Sequence, residues 1–370
     1  MRIAILTFHR AYNCGAALQA WALKTVLERM GHSVEFPACN SVGLTPRWKY
    51  SVSNTGKRGF AWWRSVIGRS LINLLSIPNE DLSRFRYTSF RRLHLPERSC
   101  LPSEFDKHYD LIVIGSDQVW NEGLTCGDAS LFFGENLPRN MRRIVYAASY
   151  GDKPLDQDRI GRVLRALDNF SAVSVREKLV KDQLSALSDK DIQEALDPTL
   201  LLDAVDYDVI AQGPTPKKPY LFMYTLFAES FFVDTAKELA RKLGVRCVIA
   251  PCYQYSRYGA PRGLTYGISP DRLLQYARNA KYVLAGSFHG TVMGVVFNKP
   301  FLSLRGQCDT FESRPAALLR KLGCENRLVY PSMTIDEMYH RIMSPLPSIR
   351  EELVAMRSRS LAWLKGALRK

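Results

Sequence analysis

Apolar residues run unbroken from Ile3 to Leu6 within the first strand-like segment, Arg2–Phe8, and the period then changes. After the loop His9–Gly15, Ala16, Ala20, Leu23, Leu27 and Met30 recur at helical spacing. Gly31 stops that helix and Ser33–Phe36 begins a second strand, so the chain opens with the β-loop-α-β rhythm of a doubly wound α/β domain. The rhythm is broken by a basic stretch and resumes with strands at Asp110–Ile114, Ile144–Ser149 and Ala172–Val175, followed by a helix over Glu177–Leu187. A stiff, hydrophilic segment, Gly213-Pro214-Thr215-Pro216-Lys217-Lys218-Pro219, closes a connector between domains. Beyond it the strands Tyr220–Leu226, Arg246–Ala250, Tyr282–Ala285 and Pro300–Leu304 alternate with helices around 233–243, 271–278 and 291–297. A long helix over Ser348–Leu368 ends the chain. The pattern predicts two α/β domains facing a cleft: residues 1–205 with a basic helical insertion at about 41–105, a linker at 206–219, a second domain at 220–347, and a terminal helix at 348–370.

Size and composition agree with that division. The chain has 370 residues, 46% of them hydrophobic and 24% charged, which is enough apolar material for two cores and excludes a disordered or disulfide-stapled chain. Eight scattered cysteines contain no C-x-x-C pair and read as reduced thiols. No apolar run is long enough to span a bilayer and the N-terminus does not read as a signal peptide, so a cytoplasmic location is expected.

Charge adds a preference for anions, because the net charge is +15. Between Ser41 and Cys100 eleven basic residues face only Glu80, Asp81 and Glu97. Within that stretch Phe60, Trp63, Ile67, Leu71 and Leu74 share one helical face while Arg58 and Arg69 lie on the other, and Trp48 and Trp62 lie nearby. This face suits either packing on its own domain or peripheral contact with an anionic membrane surface.

Four strand ends carry polar groups where an open α/β sheet places its ligands. In Thr7–Ala16, Asn13 and Gly15 can either cap a helix or present amide groups to an anion or acceptor. In Gly115–Asn121, Asp117 is either a turn former or a carboxylate able to move a proton. Arg176, directly after Val173-Ser174-Val175, can pair with Glu177 or fork onto a phosphate or carboxylate. In Ser287-Phe288-His289-Gly290-Thr291 an imidazole stands at the start of an apolar helix, with Lys299 at the beginning of the next strand. The P-loop, the dinucleotide fingerprint and the common zinc motifs are missing from the sequence, and no metal or cofactor is called for.

These segments together resemble the polysaccharide pyruvyl transferases. The resemblance rests on T-F-H-x-A-x-N-x-G-A-x-L-Q-A-x-A-L (Thr7–Leu23), G-S-D-Q-V-W-N (Gly115–Asn121), Ser174–Glu177, Asp197-Pro198-Thr199-Leu200-Leu201, Ser287–Gly290 and Phe297–Phe301, and covers roughly residues 1 to 330. It implies two Rossmann-like domains in a glycosyltransferase-B-like arrangement. It also implies transfer of pyruvate from phosphoenolpyruvate, the donor substrate, to two hydroxyls of a saccharide acceptor, which can be lipid-linked, with formation of a ketal and release of phosphate.

On that resemblance His289 and Asp117 are the proton-transfer candidates. Arg176, Ser287, His289, Gly290, Lys299 and Arg314 are candidates for holding phosphoenolpyruvate, and Asn13, Gly15 and Asn121 for the acceptor or anion loop. The chain departs from the family in two places. Members carry Ser-x-Arg-x-His where this chain has Ser287-Phe288-His289, so Arg176, Lys299 or Arg314 must supply the missing charge. A glycine-rich segment ending in Asp aligns so that Asn121 competes with Asp117 for the carboxylate position. A nucleotide-sugar glycosyltransferase would share the fold, and a nucleic-acid-binding module is suggested by charge alone.

Overall fold

The computed structural model describes residues 1–38, 82, 84–125, 129–152, 154–227, 230–253, 268–305 and 313–369. The amphipathic segment at 58–77 and Trp48 and Trp62 therefore lie outside the described residues.

The strands form two sheets. The first contains, in chain order, β1 (Arg2–Leu6), β2 (Ser33–Pro37), β3 (Glu97–Arg98), β4 (Leu111–Asp117), β5 (Arg143–Ala148), β6 (Ala172–Val175) and β7 (Ile192–Glu194), in spatial order β3-β2-β1-β4-β5-β6-β7. The second contains β8 (Tyr220–Phe227), β9 (Arg246–Tyr253), β10 (Tyr282–Gly286), β11 (Phe301–Leu304) and β12 (Leu328–Val329), in order β12-β11-β10-β8-β9. Every neighbouring pair is parallel. That is why the central strands read as continuous apolar runs, since helices cover both faces. In each sheet the winding reverses once, between β1 and β4 and between β8 and β10, and the crevice beyond the carboxyl ends of those strands is where such folds bind ligands.

Four helices frame that crevice. Helix α1 (Cys14–Arg29) leaves β1 with Asn13 as its N-cap. A second helix, α2 (residues 84–94), sends Tyr87 and Phe90 into the core at the β3 edge. The tail of the basic insertion is thus part of the first sheet's packing. In the second half α3 (Phe288–Val296) leaves β10 and α4 (Arg314–Lys321) follows β11.

One hydrophobic cluster runs from Ile3 and Trp21 through Tyr207 to Tyr220, Val292 and Phe297, so the two sheets share a core. Tyr207 sits at its middle, its ring 5.5 Å from Trp21 and 6.1 Å from Phe297. The connector expected at 206–219 is therefore not free at its start. Residues Ala204–Val209 form a 3₁₀ helix held by Arg29 on Asp206 and Arg278 on Asp208, because a buried tyrosine and two paired carboxylates anchor it. The final helix, α5 (Arg350–Ala367), crosses back to the first sheet. Arg142 donates to the Ala367 carbonyl at 2.7 Å, Leu196 N–H to Ser360 Oγ at 3.0 Å, and Trp363 lies 6.0 Å from the Tyr146 ring. Among the described residues no helix is long and apolar enough to cross a membrane.

Candidate functional site

The site begins at the end of β4. Gly115 has φ +106°, and a Cβ there would fall 2.3 Å from the Tyr146 carbonyl oxygen, so only glycine allows β4 to approach β5 this closely. That approach sets Ser116 against β5, where its Oγ donates to the Ala147 carbonyl at 2.9 Å and accepts from Arg176 Nη2 at 2.5 Å. Thr7, at the end of β1, ties the same turn by donating to the Ser116 carbonyl at 2.8 Å. Three strand ends are thereby locked around one guanidinium.

Arg176 is buried, and its counterion is Asp197, whose Oδ2 lies 2.7 Å from Nη2. Asp197 is 1% exposed; Oδ1 accepts from Thr199 N–H at 2.9 Å and Thr199 Oγ1 at 2.5 Å, and Oδ2 faces His289 Nε2 at 3.6 Å. Burial pushes the Asp197 carboxyl up, but Arg176, His289 and Thr199 together hold it well below the usual carboxylate range. One carboxylate thus clasps an arginine from the first sheet and an imidazole from the second. Nε and Nη1 of Arg176 are buried without a hydrogen-bond partner among the described residues. Buried donors left open in this way mark a place for an anion.

The His289 ring occupies the space a side chain at position 15 would need: a Cβ on Gly15 would fall 2.0 Å from Nδ1. Its side chain is 12% exposed, and the Phe288 ring stands edge-on at 5.2 Å. Phe288 in turn carries two cations, Arg176 Cζ 5.4 Å and Arg314 Cζ 5.5 Å from its centroid.

Arg314 opens α4 and holds Asp152, through its backbone N–H at 2.7 Å and its Nε at 3.2 Å. Burial works against its charge, yet Asp152, Glu177 and Asp117 raise its pKa above the ordinary arginine value. Arg176, Arg314, Phe288, Asp197 and Glu177 all line a cavity of about 860 Å³ whose far wall is α5. Glu177 accepts from Ser149 Oγ at 2.5 Å and from Tyr150 N–H at 3.4 Å, and burial raises its carboxyl pKa against the pull of Arg176 and Arg314.

The remaining expected residues divide into those near the crevice and one away from it. Asp117 ends β4 in a left-handed conformation, φ +75°, with Oδ1 accepting from its own neighbour's N–H, Gln118, at 2.9 Å; it lies within the field of Arg314 and does not line the cavity. Asn121 donates to Gln118 Oε1 at 2.9 Å in the same loop. Asn13 caps α1 by accepting from Ala16 N–H at 3.2 Å, and Gly15 is occupied by the His289 ring rather than open to an anion. Ser287 caps α3, its Oγ accepting from Gly290 N–H at 3.1 Å, so that amide is already used within the helix start.

Lys299 must be removed from the phosphoenolpyruvate set. It precedes β11, at the amino ends of the parallel strands, beside Arg278, while His289 follows β10 at the carboxyl ends. Helix α3 carries the chain back across the sheet between them. Two residues not singled out for roles, Asp197 and Glu177, complete the cluster. Among the described residues no group of three His, Cys, Asp or Glu is placed to hold a metal ion.

A family model described as polysaccharide pyruvyl transferase matches residues 13–306. That interval includes Gly15, Arg176, Asp197 and His289, and excludes Arg314. No curated protein matches the chain. Among solved structures, one from Listeria monocytogenes assigned as a UDP-N-acetylglucosamine 2-epimerase is similar over 100% of this chain and 96% of its own, at 11% identity and a TM-score of 0.53. The Methanocaldococcus jannaschii UDP-GlcNAc 2-epimerase covers 97% of this chain and 99% of its own, at 11% identity and a TM-score of 0.48. With the two parallel sheets, the first of these likenesses marks the fold as glycosyltransferase-B-like; at such identity it speaks for the fold alone.

Proposed function

The chain belongs to the polysaccharide pyruvyl transferase family, and on that premise we propose that it moves pyruvate from phosphoenolpyruvate onto two hydroxyls of a sugar in a polysaccharide or its precursor, forming a ketal and releasing phosphate. The observation that carries this reading is the convergence of Arg176 and Arg314 on the two approaches to Phe288 at the wall of one cavity. Phosphoenolpyruvate bears a phosphate and a carboxylate close together, so it needs two separate cationic groups, and guanidinium forks suit both. Arg176 has buried donors to spare, and Arg314 stands in for the arginine missing between Ser287 and His289.

Ketal formation needs the enol methylene protonated, a hydroxyl added to the central carbon, phosphate expelled and a second hydroxyl closed onto the same carbon. His289 supports the phosphate half of that sequence. Asp197 lies 3.6 Å from its Nε2 and orients the ring, and an imidazole can hand a proton to the departing phosphate oxygen and recover one from the second hydroxyl.

The test is incubation with phosphoenolpyruvate and a panel of sugar acceptors, following inorganic phosphate and the product mass. Phosphoenolpyruvate should also raise the melting temperature. Protection by a nucleotide sugar in its place would overturn the proposal in favour of glycosyl transfer. A lipid-linked acceptor and contact with the inner face of the membrane rest on the charge and tryptophans of the insertion at 41–105. Sedimentation with anionic vesicles that persists after neutralising Arg58, Arg64 and Arg69 would overturn that part.

A further inference from the structure

We propose that Glu177, rather than Asp117, is the carboxyl group that exchanges protons with the donor's methylene carbon and the first attacking hydroxyl. This rests on the pyruvyl-transfer reading above. Neither Asp117 nor His289 is in the cavity lining; His289 adjoins it through Asp197, which does line it, at 3.6 Å, whereas Asp117 Oδ1 is engaged by the Gln118 N–H. Glu177 lines the cavity beside Arg176, Arg314 and Phe288, where the donor's two anionic groups are held.

The hydrogen bonds around it distinguish its two oxygens. Ser149 Oγ accepts from Gly151 N–H at 3.1 Å, which turns its own proton toward Glu177 Oε1 at 2.5 Å. Among the described residues Oε2 receives just the longer Tyr150 N–H contact at 3.4 Å, which leaves it the freer of the two oxygens to take and give a proton. The charged groups acting on the carboxyl are Arg176 at the end of β6 and Arg314 on α4, and Asp152, which shares the cavity lining, and Asp117 act in turn on Arg314. Burial raises the carboxyl's pKa against the pull of the two arginines, the direction a proton donor needs.

The step balances within the site. The Oε2–H bond breaks as the proton passes to the methylene carbon, and the carbon–carbon π pair forms the new C–H bond. The hydroxyl oxygen bonds to the electron-poor central carbon and its proton returns to Oε2, restoring the acid. Phosphate then leaves with its bridging oxygen, the second hydroxyl takes its place, and that hydroxyl's proton departs with phosphate by way of His289.

Glu177→Gln keeps an acceptor for Ser149 at nearly the same size and loses the exchangeable proton. Phosphate release should fall by roughly 10²- to 10⁴-fold, with thermal protection by phosphoenolpyruvate retained and the alkaline limb of the pH–rate profile lost. Retained protection with near-normal turnover and an unchanged profile would overturn this inference alone. Protection of neither the parent nor the variant would overturn the functional reading and this inference with it. Should the Gln variant fail to fold, Ser149→Ala keeps the carboxyl and removes a bond that favours its ionised form. Its alkaline limb should then move to higher pH, and an unmoved limb would overturn the assignment.

Discussion

The imidazole of His289 fills the place of a side chain at position 15, with Nδ1 2.0 Å from where a Cβ on Gly15 would stand. The first turn of α1 in one half of the molecule is thus the floor on which the histidine of the other half rests. Gly15→Ala separates two effects of opposite sign. In a helix alanine is favoured over glycine by about 1 kcal/mol, yet here the added methyl must push the ring aside. Displacement by about 1 Å is enough to cost on the order of 100-fold in turnover. Phosphate release should fall by that order while urea unfolding shows a folded protein; unimpaired release would mean the ring can move without consequence.

Asp197→Asn takes from the buried Arg176 the carboxylate it is paired with. Removing one partner of such a buried pair costs about 3–5 kcal/mol, measurable as a lower urea midpoint. The pH dependence has a definite sign. The folded carboxyl titrates below its ordinary value of 3.8, so its stabilising contribution is complete above that pH and is lost as pH falls toward the folded value. Glu177, raised in the fold, has the reverse sign: it favours the folded state below its ordinary value of 4.5 and loses that contribution as pH rises through its folded value. Urea midpoints taken below about pH 4 should therefore drop more steeply in the parent than in Asp197→Asn; parallel curves would contradict the clasp.

Arg314→Gln removes one of the two guanidinium groups at Phe288 without unpairing Asp197. The loss of a charged hydrogen bond is worth about 1.5–3 kcal/mol, or roughly 10- to 100-fold in the KM for phosphoenolpyruvate. The acceptor KM should not change. Equal rises in both constants would place the arginine elsewhere than on the donor.

Lys299→Ala should leave donor KM and turnover as they were, because the lysine stands at the opposite end of the second sheet. A surface change of this kind shifts stability by no more than about 0.5 kcal/mol. A large rise in donor KM would return Lys299 to the site.

The long strands β1, β4 and β8 and the helices that follow β1 and β10 are legible in sequence because burial on both faces leaves unbroken apolar runs and glycine or a cap marks each end. The two- and three-residue strands β3, β7 and β12 are not, since so few residues carry no period. Arg176 and His289 were readable as polar groups leaving strands. Asp197 was visible only as part of a motif, although a carboxylate within Ala195-Leu196-Asp197-Pro198-Thr199-Leu200 carries a usable signal: a charge set among residues this apolar must be paired. Its partners lie 21 positions before it and 92 after it, a closure that no local pattern contains. Lys299 misled for the complementary reason, nearness in sequence to His289 across a helix that reverses direction.

The return of α5 to β5 also governs how the polypeptide can be divided. A cut in the proline-rich segment at 213–219 would strand the amino-terminal fragment without Ser360, Trp363 and the Ala367 carbonyl, leaving Leu196, Tyr146 and Arg142 facing water where they now meet helix residues 164 to 225 positions downstream. The halves are therefore interlocked in the manner of a buckle and strap. A bisected protein should recover only when both pieces are produced together.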